Sequence, residues 1–341
     1  MVSRRLFIAI SSLILLLYFS AIAIPVALGQ DVAPHRVSPR PSFCDEHHWI
    51  LSVRHCPKDC TPCSVANCRF GVSVGDWFGN EWASDEDTFR SWVRPGVPIV
   101  IYVHGSFVPD DTVLTDATQT FRWLRQAAPQ RDVQMISFTW KSDGIFTLDP
   151  AVAVSSLVPG IDVAILGHRA EVNGVRLAKL ILSLPEQSPV CVIGHSHGGR
   201  ILASALDLLG GGSRCGVQLC PGPSGRRVRG IFAAAALDHD WMNPGERYDR
   251  AMCGAECILN MKSRRDWALA IYPLRKPFSP RALGQVGFTA KDVGRLGGFA
   301  DRIAEVDVTN TIGTGHIWPR YTERPEFAQM LLPWLYYTSF E

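Results

Sequence analysis

A serine hydroxyl is a weak nucleophile at neutral pH. It becomes useful beside a base that a carboxylate holds in the right tautomer. One stretch of the chain offers such a serine. The apolar run Val190–Ile193 passes straight into Gly194-His195-Ser196-His197-Gly198, and Arg200–Leu209 reads as a helix. Strand, tight Gly-x-Ser-x-Gly turn and helix, in that order, are the setting in which the motif carries chemistry. Gly194 and Gly198 remove side chains that would collide with neighbouring backbone, which leaves Ser196 to take the strained position with its hydroxyl presented. The free N–H groups of the new helix face any negative charge that forms there.

Ten histidines are present. His316 lies beyond the last apolar strand, between Gly315 and Ile317, in a loop able to reach back over the strand ends, and it reads as the base. His239 is a weaker rival. The carboxylate is expected from a strand-end loop on the same rim of the sheet. Asp266, just past Ile258–Met261, keeps the order nucleophile, acid, base; Asp240 and Asp238, one strand earlier, are the alternatives. A developing oxyanion needs preorganised donors. The amide of His197 is one. The second is expected from the loop after His104-Gly105, at Ser106 or Phe107, with Gly105 permitting close backbone approach. His104 itself reads as structural, its ring bonded to nearby backbone.

These residues need a sheet to bring them together. Trp49–Val53, Pro98–Val103, Val133–Trp140, Val190–Ile193, Val228–Ala236, Ile258–Met261 and Ile303–Val308 predict strands; the cysteine-rich loop, Phe70–Val74 and an acidic, aromatic segment around Trp82–Trp92 fall between the first two. Thr112–Ala128, Arg169–Leu184, Arg200–Leu209, a short Glu246–Met252 and Pro325–Leu335 predict helices, with Pro129 and Pro185 as stops. Strands alternating with helices predict an α/β fold, a doubly wound, mostly parallel sheet covered on both faces. The apolar stretch 145–166 lacks a clean helical period; it fits a lid over the strand ends or ordinary core.

The chain has 341 residues, of which 47% are hydrophobic and 19% charged, and a formal net charge of +2. That balance suits one globular domain with a sizeable core. The charge is too small, and Arg226-Arg227 and Arg264-Arg265 too short, for a nucleic-acid surface. At the N-terminus Arg4 and Arg5 precede an apolar run from Leu6 to Leu28, and Ala27-Leu28-Gly29 supplies small residues for cleavage. Residues 1–29 thus read as a signal peptide or, if retained, a signal anchor holding the protein to a membrane through residues 6–28. Either way the remainder is expected outside the cytoplasm: periplasmic, secreted or anchored to the membrane's outer face. Residues 30–43, with Pro34, Pro39 and Pro41, read as a linker to a domain spanning 44–341.

Ten cysteines agree with an oxidising compartment. The cluster Cys56, Cys60, Cys63 and Cys68 in loop 56–68 has a spacing that zinc could use, but an exported chain favours disulfides, and no metal is expected. Cys215 with Cys220, and Cys253 with Cys257, are near enough to close small loops. Cys191, inside the central strand, reads as a free buried thiol.

From about Trp49 onwards the chain resembles the α/β-hydrolase superfamily. Val103-His104-Gly105, Gly194-His195-Ser196-His197-Gly198-Gly199 and Gly315-His316 carry the resemblance. Within it, Phe138-Thr139-Trp140-Lys141-Ser142-Asp143-Gly144 and Ser263-Arg264-Arg265-Asp266 look like an uncharacterised bacterial esterase/lipase-like branch. That branch often has Trp-Pro at Trp140-Lys141 and methionine at His197. The resemblance implies serine hydrolysis of carboxylic esters through an acyl-enzyme, a small or lipid-like ester as substrate, no cofactor, and Asp266 as acid. An acyltransferase on the same triad, or a non-catalytic binding domain on the same fold, are the alternatives.

Overall fold

The computed structural model describes residues 47–66, 68–143, 159–275 and 278–337. The N-terminal segment 1–29, the linker 30–43, Cys44 and most of the candidate lid lie outside the described residues. Among the described residues no helix is long and apolar enough to cross a membrane.

Nine strands form the main sheet: β1 (His47–Ser52), β2 (Gly71–Asp76), β3 (Glu81–Ser84), β4 (Ile99–Val103), β5 (Gln134–Thr139), β6 (Val190–His195), β7 (Val228–Ala233), β8 (Cys257–Lys262) and β9 (Ile303–Asp307). Their order across the sheet is β9-β8-β7-β6-β4-β5-β1-β2-β3. All neighbours pair parallel except β1–β2 and β2–β3. Four larger helices cover it: α1 (Val113–Ala127), α2 (Pro159–Ser183), α3 (His197–Leu209) and α4 (Pro325–Tyr336). This mostly parallel, doubly covered sheet fits the α/β-hydrolase fold.

The continuous apolar strands follow from burial on both faces. Along β4, Ile99, Ile101 and Val103 point into one core, shared with α2 and α3, while Val100 and Tyr102 point into the other, shared with α1 and α4. From β4 the chain goes to β5 on one side, then crosses to β6 on the other. The strand ends at this switch form a crevice where ligands bind in open parallel sheets. The loops after β4 and β6, which carry Ser106 and Ser196, flank it.

The structure adds elements that the sequence pattern did not predict and corrects others. Glu81–Ser84 is an edge strand, and Glu86–Trp92 a helix that Asp85 caps by accepting from the Thr88 amide at 2.7 Å. Helix α2 begins at Pro159, ten residues before Arg169, so the end of the candidate lid stretch is helical and Leu166 is fully buried. Residues 246–250 form turns rather than helix, and only Ala251–Gly254 is helical. The turns bring the Tyr248 amide to the Trp241 carbonyl at 2.6 Å and the Tyr248 hydroxyl to Glu171.

Cys215 joins Cys60 rather than Cys220, because a small ribbon of Ser213–Arg214 and Val217–Gln218 carries it to the cysteine-rich loop. Cys56 joins Cys68, and His55 lies beside them, but two sulfurs bonded to each other offer a metal no thiolate. Among the described residues Cys63, Cys191, Cys220, Cys253 and Cys257 are free thiols, so the expected Cys253–Cys257 loop does not form.

Candidate active site

Ser196 sits between β6 and α3 at φ 53° and ψ −122°. A non-glycine residue holds such a conformation only where its surroundings enforce it. The enforcement is close packing of helix against strand. A Cβ at Gly198 would lie 2.2 Å from the Val103 carbonyl oxygen, and one at Gly194 2.6 Å from the Gly198 carbonyl oxygen. The Ser196 amide donates to the Ala233 carbonyl at 3.0 Å, which fastens the turn to β7. Ser196 is only 4% exposed, deeper than a bare strand–helix turn suggests, because His316 and the Gly105 backbone crowd it.

His316 arrives from the loop between the short helices Thr309–Ile312 and Pro319–Thr322. Its Nε2 lies 2.9 Å from Ser196 Oγ, and its Nδ1 lies 2.7 Å from Asp266 Oδ2. With the ring neutral, Nδ1–H donates to the carboxylate and Nε2 accepts from the hydroxyl. Asp266 is fully buried. Its other oxygen, Oδ1, accepts from the Leu269 amide at 3.0 Å, so one carboxylate both caps a short helix and faces the imidazole. Two bonds tie the Asp266 and His316 loops together: Ser263 Oγ donates to the Gly313 carbonyl at 3.0 Å, and the Trp267 amide donates to the Thr314 carbonyl at 3.4 Å.

The alternative acids lie elsewhere. Asp238 accepts from the Tyr272 hydroxyl at 2.9 Å, and neither it nor Asp240 bonds the His316 ring. The rival base His239 is bound to Asp292 at 2.7 Å, a carboxylate that also takes the Asn243 amide at 2.6 Å and caps Ala290–Leu296.

Of the two amides expected in the loop after β4, that of Phe107 is committed: it donates to the Ser142 carbonyl at 2.9 Å. Ser106 therefore stands as the candidate partner of the His197 amide, which opens α3. Gly105 brings this loop against the elbow, since a Cβ there would lie 2.9 Å from Ser196 Cβ and 2.8 Å from His195 Nδ1. His104 holds the loop from below. Its Nδ1 donates to the Gly105 carbonyl at 2.8 Å, and its Nε2 accepts from the Trp140 amide at 3.2 Å. Burial lowers its pKa to about 3, so the ring stays neutral.

Two side chains in and just after the motif do more than the sequence suggested. His195 is buried, and burial followed by the nearby His316 lowers its pKa to about 3. The neutral ring donates from Nε2 to the His316 carbonyl at 2.6 Å. A histidine ending a strand otherwise wholly apolar was the available signal.

Arg200, in the first turns of α3, meets Glu171 of α2 at 3.1 Å, and Arg247 meets the same carboxylate at 2.9 Å. Burial pushes the Glu171 carboxyl up, but these guanidiniums outweigh it and hold the group below the usual carboxylate range. The pairing braces the helix behind Ser196.

The chain matches no family model and no curated protein. Among solved structures it is similar to the catalytic core of acetyl xylan esterase from Trichoderma reesei, at 13% identity and TM-score 0.32, over 71% of this chain and 96% of that one. It is similar to esterase B from Lactobacillus rhamnosis, at 13% identity and TM-score 0.39, over 97% and 94%. An α/β hydrolase enzyme from a deep-sea metagenome library is similar at 13% identity and TM-score 0.27, over 70% and 75%. With TM-scores below 0.5, these likenesses carry no chemistry; the side-chain geometry must do so.

Proposed function

We propose that the protein is an exported serine hydrolase that cleaves carboxylic esters through an acyl-enzyme on Ser196. One observation carries the reading: the unbroken hydrogen-bond chain from Ser196 Oγ through His316 to the buried Asp266, set at a strained elbow. In the first step Ser196 Oγ attacks the ester carbonyl carbon as its proton passes to His316 Nε2. The Asp266 carboxylate stabilises the imidazolium from the Nδ1 side. The amides of His197 and Ser106 take up the negative charge on the carbonyl oxygen. Collapse expels the alcohol, which receives the proton from His316. Water, deprotonated by the same nitrogen, then releases the acid and restores the serine.

The residues next to the machinery favour apolar acyl groups. Phe107, Trp267 and Ile317 directly follow Ser106, Asp266 and His316 in the chain, and they are 44%, 40% and 60% exposed. Exposed apolar side chains at these three positions offer an acyl chain surface to leave water for, worth about 0.8 kcal/mol per buried methylene. Export is supported by Arg4-Arg5 followed by the apolar run, and by the disulfides Cys56–Cys68 and Cys60–Cys215.

The test is labelling with a fluorophosphonate, followed by hydrolysis of p-nitrophenyl esters of graded chain length. We expect the label on Ser196, none on Ser196→Ala, and kcat/KM that rises from acetate to octanoate. An unmodified Ser196 overturns the hydrolase reading; equal rates on all chain lengths overturn the acyl preference alone.

A further inference from the structure

An oxyanion site works when its donors are already in place before charge develops. Here the two amides come from separate parts of the fold, the loop after β4 and the first turn of α3, 91 residues apart in sequence. Each has its own support. On the loop side, Gly105 and Phe107 are fastened on either side of Ser106, by His104 and by the Ser142 carbonyl. On the helix side, the His197 backbone is set by the elbow. Something must fix the distance between the two.

The side chains of the same two residues meet. Ser106 Oγ lies 2.7 Å from His197 Nδ1, and His197 is 5% exposed. The Ser106 hydroxyl can donate to an unprotonated Nδ1 or accept from Nδ1–H, so the bond forms with either tautomer of the ring. The contact closes a ring from the Ser106 backbone through both side chains to the His197 backbone. Movement of one amide away from the other must stretch that bond.

We propose that the Ser106–His197 side-chain bond fixes the separation of the two oxyanion-binding amides, so that Ser106 and His197 serve both as donors and as positioning residues. The inference rests on the hydrolase reading. It deepens that reading by assigning a specific role to the hydroxyl of residue 106 and to the imidazole of residue 197. A methionine at position 197 keeps the amide and abolishes the bond.

The experiment compares Ser106→Ala, His197→Met, the double variant and Ser106→Thr with the native chain. Three quantities are measured: kcat and KM on p-nitrophenyl butyrate, and the inhibition constant of an aryl trifluoromethyl ketone, whose adduct with Ser196 carries the oxyanion. We expect each single variant to lose at least about tenfold in kcat, short of the roughly 100- to 1,000-fold that follows outright loss of a donor. The ketone should weaken by the same factor while KM stays put. The double variant should be no worse than either single one, because both remove one bond. Ser106→Thr keeps the hydroxyl and should recover most of the kcat and ketone affinity that Ser106→Ala loses.

An active native chain whose single variants leave kcat and ketone affinity unchanged overturns the positioning role. So does a double variant whose loss is the product of the single losses. If Ser106→Ala fails to fold, His197→Met and Ser106→Thr decide the matter alone. A native chain inert to ester and fluorophosphonate alike overturns the hydrolase reading and this inference with it.

Discussion

Asp266→Asn is the sharpest single-residue test of the charge arrangement. The amide keeps nearly the same shape, but it presents a neutral group, or a second donor, to His316 Nδ1. The ring then loses its favoured tautomer and the partner that stabilises its charged form. We expect kcat to fall by roughly 1,000- to 10,000-fold, while Asp238→Asn and Asp240→Asn keep activity within a few-fold. Steady-state kinetics on one ester checks all three, and a larger loss at Asp240 would overturn the assignment. His195 makes a subtler prediction. Its Nε2 anchors the His316 carbonyl, so His195→Phe should loosen the base loop and lower kcat about tenfold, the scale of one lost hydrogen bond of about 1–1.5 kcal/mol. His195→Gln can still present an N–H at that position and should recover most of the rate; equal losses in both variants would point to packing instead. Ser196, His316 and Asp266 were legible in the sequence because their order and their places after strands are one-dimensional facts. The His195 anchor and the occupied Phe107 amide were not, because each depends on a loop arriving from far along the chain.

At the level of elements, the strained serine is the consequence of packing α3 against β4 and β6. Gly198→Ala introduces a methyl group 2.2 Å from the Val103 carbonyl oxygen, and this is backbone that cannot step aside. The helix must shift or the elbow relax. We expect a loss of at least about 1–3 kcal/mol, the usual cost of overpacking a dense core, together with a large fall in fluorophosphonate labelling. Urea unfolding and labelling rates measure the two effects. Unchanged stability with full labelling would mean that the elbow is not held by that contact. The strands of the parallel sheet were readable because burial on both faces leaves long apolar runs such as Ile99–Val103. The edge strand Glu81–Ser84 was not, since an exposed edge leaves acidic and aromatic residues in place. In the same way, the turns at 246–250 follow from Arg247 and Tyr248 reaching for Glu171, which no local pattern records. The pairing of Cys60 with Cys215 is a matter of tertiary approach, and spacing along the chain favoured a nearer partner.

For the molecule as a whole, three buried histidines link stability to pH. Burial holds His48 at about 4, and His104 and His195 at about 3, against 6.5 for a free side chain. All three are neutral in the folded state, so the unfolded chain binds more protons once the pH drops below about 6.5. The sign follows: stability is complete above that value and declines as the pH falls, until each folded pKa is reached. A tenfold difference in proton affinity between folded and unfolded chain corresponds to about 1.4 kcal/mol, so by pH 5 each histidine can cost about 2 kcal/mol, against a typical total of about 5–15 kcal/mol. Glu171 acts in the same direction lower down. Its depressed folded pKa gives stability that is present above the ordinary value of 4.5 and lost as the pH falls through the folded one. We therefore expect the urea midpoint to drop steadily from pH 6.5 to pH 4.5. His48 bonds Thr118 at 3.2 Å and packs on Phe121, away from the serine, so it can be replaced without touching the candidate site. His48→Leu should flatten the slope above pH 4, since one proton that the unfolded chain binds more tightly is gone. A midpoint unchanged between pH 7 and pH 5, or a slope indifferent to His48→Leu, would mean that these rings are protonated without unfolding and that the core around the site is wetter than its packing implies.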